Sequence, residues 1–172
     1  MRHDPCFDAG MSQMRTLLGS AVAGAAGGFV ATLAMSVVML LARRAGLSGP
    51  LPPERIAQDA IAEAAGRAAH EDEEHAVAAV AHVGFGILAG SLYGLLVSGL
   101  RRAPIGLAAL SGAIFATVVW LVSYEGWVPA LHIMPPASRD HPGRVATMLV
   151  AHWVYGIGLG ILTARLRDRL RR

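Results

Sequence analysis

The sequence predicts an all-α integral membrane protein: a four-helix bundle of two tandem two-span repeats, with a short helix in the first outer loop. Three observations lead there. Four long runs are nearly free of charge in a chain that is 54% hydrophobic and 16% charged, as spans are and soluble cores are not. Small residues recur every four positions along each run. Finally, the phrase AHVGFGILAG at Ala81–Gly90 returns as AHWVYGIGLG at Ala151–Gly160, so each half carries one His inside an apolar run.

The 172 residues suffice for one domain: a disordered tail at 1–15, then a single four-span membrane domain at 16–172. The first span covers Thr16–Ala42, where no charge occurs. That run exceeds the ~20 residues needed to cross the hydrocarbon layer and the roughly 7–15 of a signal-peptide core. Ser20, Gly24, Gly28, Thr32 and Ser36 follow one another at four-residue intervals, a stripe on which another helix can pack closely in lipid. Beyond Pro52-Pro53, ERIAQDAIAEAAGRAA suits a weakly amphipathic helix with Ile56, Ala60, Ile61 and Ala64 on one side. The acidic run EDEEH, Glu71 to His75, reads as a charged start to the next helix, where carboxylates favour the helix dipole.

The second span, about 76–100, holds His82 as its one ionisable group, in line with Gly86, Gly90, Gly94 and Ser98. Arg101-Arg102 closes it and Pro104 opens the third span almost at once, so the two are expected as antiparallel neighbours. The third, about 103–124, carries Ala108, Gly112 and Ala116 four apart and leads into Glu125 and Trp127; Glu125 extends the face of Ala113 and Thr117. The connection that follows contains His132, Pro135-Pro136 and His141. The fourth span, about 145–164, repeats the pattern with His152, Gly156, Gly160 and Ala164, before the ending RLRDRLRR.

The halves also agree in order. GGFVAT at 27–32 matches GAIFAT at 112–117, and Pro52-Pro53 matches Pro135-Pro136. Two spans per unit bring both copies in from the same side, a parallel repeat.

All 15 basic residues are arginine, and five lie in the last eight positions. Such juxtamembrane charge orients the chain and meets anionic lipid, so the expected partner is the bilayer and not nucleic acid. Counting arginines near the spans places both termini in the cytoplasm, with Arg43-Arg44 opposing. The lone Cys6 excludes an intrachain disulfide and a cysteine-rich metal site.

In this topology His82, His152, Glu125 and His132 gather in the outer half of the bundle. Ionisable groups at such depth are functional candidates. One reading is structural, with each imidazole bonding across a helix interface. Another is proton handling, since His titrates near neutrality. A third is ligation, of haem iron by His82 and His152 or, with Glu125 added, of zinc, copper or iron. Signatures of common enzymes, GxSxG, a Walker loop, HExxH and paired cysteines, are missing.

The double proline after the first span, His82-x-x-Phe85, Gly106-Leu107-Ala108, Pro135-Pro136 and His152-x-x-Tyr155 with its arginine-rich end resemble the YagU-like bacterial inner-membrane proteins of unknown function. The likeness covers roughly residues 20–170. It implies a bacterial inner-membrane location and an association with survival in acid, without assigned biochemistry. The expectation is therefore a non-enzymatic multi-pass protein with a proton-responsive or small-solute pathway at the His/Glu cluster, and no resident cofactor. Its alternatives are a haem- or metal-binding redox protein and an accessory subunit of a membrane complex, homo-oligomeric or larger.

Overall fold

A computed structural model describes residues 5–47, 52–66, 70–100 and 103–170; Arg101-Arg102 lies outside them. The order is α1 (Pro5–Arg44), α2 (Pro52–Ala65), α3 (Glu71–Leu96), α4 (Ile105–Leu121), a π-helical turn (Val122–Trp127), α5 (Val128–Ala130), a 3-10 turn (Ala137–Arg139) and α6 (Pro142–Leu170). Four stretches are long and apolar enough to cross a membrane: Gly10–Arg44, His75–Leu96, Ile105–Ala130 and Pro142–Leu170. Leu18, Val22, Leu88, Leu107 and Ile114 are exposed on them. An apolar surface of this extent suits lipid and not water, so this is a membrane protein.

Residues 1–15, expected as a disordered tail, are helical from Pro5 onward. Proline fits a first helical turn, and the apolar run beyond lets the helix propagate. The other spans also outrun their sequence limits. α3 starts at Glu71, where the His70 N–H donates to the Glu73 carboxylate at 3.4 Å, and α6 continues through the arginine-rich end to Leu170. On α2 the residues turned inward are Ile56, Ala57 and Ile61, whereas Ala60 and Ala64 are exposed. The buried face is rotated from the expected one because α2 packs chiefly on α3.

Two glycine crossings hold the bundle. Along α1 and α3, a methyl group at Gly24 or Gly28 would run into the carbonyls of Gly90 and Gly86, and one at Gly94 into the Ser20 carbonyl. Along α4 and α6, Gly112 faces the Gly156 carbonyl and Gly160 the Ala108 carbonyl in the same way. Backbones this close gain dispersion and weak Cα–H···O contacts, which lipid does not offer in equal measure. α1 also packs on α6, giving the spatial order α3–α1–α6–α4. Met35, Met39, Met148, Tyr155 and Leu159 fill the centre.

Spans two and three, despite their short connection, are not a close-packed pair among the described residues. Each has one stripe of small residues, and that stripe is already taken, by α1 in one case and α6 in the other. Side chains bridge the seam instead. The Tyr93 and Ser111 hydroxyls lie 2.7 Å apart, and the rings of Tyr93 and Phe115 are centred 5.3 Å apart. At the end of the bundle that carries the chain termini, Arg167 Nη2 donates to the Ser98 and Leu100 carbonyls at 2.8 and 3.2 Å.

Candidate functional site

The repeated phrase sets the site. In α3 and α6 the His stands four residues before the first crossing glycine, one turn nearer the loop end of the bundle. At the crossings the backbones touch; one turn further on they have splayed enough to leave a cavity of about 230 Å³. Thr32, Met35 and Met39 of α1 form one wall, and Met148, His152 and Tyr155 of α6 another. His82, Phe85 and Ala89 of α3 face Val119, Ser123, Trp127 and Val128 across it, and Ile56 of α2 also lines it.

The polar atoms on this wall are few and mostly committed. The Tyr155 hydroxyl donates to the Gly86 carbonyl at 2.8 Å, joining the two copies of the phrase. Thr32 Oγ1 donates to the Gly28 carbonyl at 2.7 Å. His152 Nδ1 lies 2.7 Å from the Met148 carbonyl. A carbonyl only accepts, so Nδ1 carries the hydrogen, and Nε2 of the neutral ring presents a lone pair. His82 Nε2 is buried with no hydrogen-bond partner. A buried polar atom left so is disfavoured by about 1–3 kcal/mol, an energy that a bound polar group would recover.

His82 and His152 thus share one cavity, and Glu125 and His132 do not line it. Both are exposed at the same end of the bundle. Glu125 accepts a hydrogen bond from the Ser138 N–H at 2.9 Å, and His132 adopts φ 59° just after α5. The π-helical turn explains the separation. It interrupts the four-residue stepping that would have aligned Glu125 with Ala113 and Thr117, and Gly126 departs from helical backbone angles within it (φ −105°, ψ −105°). The same turn brings Ser123 and Trp127 onto the wall, with Trp127 Nε1 donating to Ser123 Oγ at 3.2 Å.

A second polar group, not anticipated from the sequence, fastens the last connection. The buried Tyr124 donates to Asp140 at 2.5 Å, Arg144 donates to the same carboxylate at 3.2 Å, and the His141 N–H adds a third bond at 2.6 Å. The four-residue spacing of Asp140 and Arg144 was the available signal. Among the described residues, no group of three or more His, Cys, Asp or Glu is placed to hold a metal ion.

No curated protein matches this chain. No solved structure does either. A family model does match, over residues 18–172, so the chain belongs to a family of unknown function (DUF6789).

Proposed function

We propose that this protein takes a small, predominantly apolar solute into the cavity of His82 and His152 and responds there to protons, without a reaction of its own. The observation that carries this reading is the meeting of two imidazoles, one from each half, in a wall built mainly of aliphatic, Met and aromatic side chains, with the hydroxyls of Thr32 and Ser123. Among the described residues the titratable groups on the wall are His82, His152 and Tyr155. Protonation would remove the lone pair and put a charge into apolar surroundings, so acid would favour release. The acid-survival association implied by the YagU-like resemblance agrees with this direction. The arginine distribution favours cytoplasmic termini and an outward-facing cavity end in a bacterial inner membrane, with Glu125 and His132 at its rim.

The close contacts of Gly90 with Gly24 and Gly28 correspond to those of Gly160 with Ala108 and Gly112, which supports a tandem duplication. The packing register is one residue removed from the alignment of GGFVAT with GAIFAT. A second functional reading has one observation in its favour. His152, held through Nδ1 by a backbone carbonyl with Nε2 free, has the arrangement behind many metal-bound imidazoles, so His152, with His82 on the same wall, would hold haem iron or a transition metal.

Phenol, as a water-soluble probe, tests the main reading by calorimetry on the purified protein. Saturable binding is expected at pH 7.5 and weaker binding as the solution is made more acid, with the pH dependence lost in a His82→Gln, His152→Gln variant. Absence of saturable binding, or identical profiles in the variant, would overturn it. A Soret band or stoichiometric metal lost in His82→Ala and His152→Ala would establish the second reading instead.

A further inference from the structure

Which wall residues are exposed shows how the cavity opens. Those from α1 and α6 are buried or half-buried, and Ile56 and Val128 cover the loop end. The exposed ones are Ala81 and Phe85 on α3 and Trp127 on the π-helical turn, with Phe85 46% and Trp127 37% exposed. They belong to the two elements that do not pack closely on one another. The mouth is therefore a slot in the α3–α4 seam, closed further along by Tyr93 and Ser111. Phe85 and Trp127 both lie within stretches apolar enough to cross a membrane, so the slot opens sideways onto lipid.

The chemistry inside selects a head group. The hydroxyls of Thr32 and Tyr155 already donate to backbone carbonyls. Beside the Ser123 hydroxyl, which accepts from Trp127 at the mouth, what remains deeper in is the lone pair of His152 Nε2 and the unpartnered His82 Nε2. Among the described residues no Arg, Asp or Glu stands on the wall, so a carboxylate or phosphate would bury its charge without a counterion. A hydroxyl can donate to His152 and accept from His82 in the tautomer that carries its hydrogen on Nε2.

Building on the solute cavity proposed above, we propose that an uncharged, hydroxyl-bearing membrane amphiphile enters from the lipid between Phe85 and Trp127 and anchors its hydroxyl at His82 and His152. Its tail stays in the slot, continuous with the acyl chains outside.

Tryptophan quenching tests this in vesicles. A Trp120→Phe, Trp153→Phe protein leaves Trp127 as the reporter. Phosphatidylcholine vesicles are doped with dibrominated stearyl alcohol, with dibrominated stearic acid at pH 7.5, or with phosphatidylcholine brominated at the same chain positions. Saturable quenching by the alcohol is expected at a several-fold lower mole fraction than by either other probe. His152→Leu should raise its half-saturation point about fivefold, as the loss of one hydrogen bond would, and His152→Gln should restore part of it. If His152→Leu does not fold, Ser123→Phe, which fills the mouth, serves the same comparison. Quenching by the alcohol that merely follows the phospholipid, or a preference for the acid, overturns the proposal. If phenol still binds from water in that case, only the lipid route and head group fall; if phenol fails as well, the solute cavity falls with them.

Discussion

Tyr155 is one of the residues through which the two halves meet. It is 3% exposed, and its hydroxyl reaches a helix carbonyl, Gly86, that lies in the copy of its own phrase. A helix carbonyl already serves its own helix, so the bond is an addition to it and not a replacement. Tyr155→Phe should lower stability by about 1 kcal/mol, read as a shift in thermal unfolding in detergent, with no loss of helix by circular dichroism. Asp140 should matter more, because three donors converge on it from Tyr124, His141 and Arg144. Asp140→Ala strands the buried Tyr124 hydroxyl and removes the counter-charge of Arg144, a loss of roughly 1–3 kcal/mol. Limited proteolysis checks this: cleavage between Ala137 and His141 should accelerate, and an unchanged rate would show that the connection is held by Glu125 and Ser138 alone.

At the scale of the helix the glycines fall into two kinds that look alike in sequence. A side chain at Gly90 would meet the backbone of Gly24 and Gly28, where nothing can give, while at Gly84 no atom lies within 4 Å. Gly90→Ala should therefore destabilise the protein by about 1–3 kcal/mol through overpacking. Gly84→Ala should leave it unchanged or raise stability by up to about 1 kcal/mol through helix propensity. Denaturation by sodium dodecyl sulfate would separate the two, and equal effects would mean that the helices do not cross at Gly90. The four-residue spacing puts Gly24, Gly28, Gly86, Gly90, Gly94, Gly112, Gly156 and Gly160 on a common face of their spans, and all of them are buried. It could not reveal the π-helical turn, where the chain stops counting in fours. Glu125 was therefore assigned to the wrong face, and Ser123 and Trp127 were missed. A π turn depends on Gly126 and on how Tyr124 is tethered to Asp140, and a contact between distant segments leaves no local pattern to read.

In the whole molecule, connectivity and packing disagree. The short link after the second span suggested that α3 and α4 would be partners, yet small residues decide partners in lipid, and those on α3 face α1. The resulting order, α3–α1–α6–α4, leaves the two hairpins joined mainly through α1 and α6. There a side chain at Gly27 would press on Thr163 Oγ1 at 3.0 Å, and one at Gly158 would touch Ala31 Cβ at 3.5 Å. If that interface and not the loop carries the association, the loop is dispensable. A chain divided between Leu100 and Ala103, its halves co-expressed with a tag on one, should copurify as a complex. Gly27→Leu should abolish copurification by separating α1 from α6. Tyr93→Phe, which removes the hydroxyl's bonds to Ser111 and to the Ala108 carbonyl across the seam, should reduce recovery slightly. The opposite ranking, with Tyr93→Phe disruptive and Gly27→Leu harmless, would place the closed contact between α3 and α4 and leave the cavity no side opening.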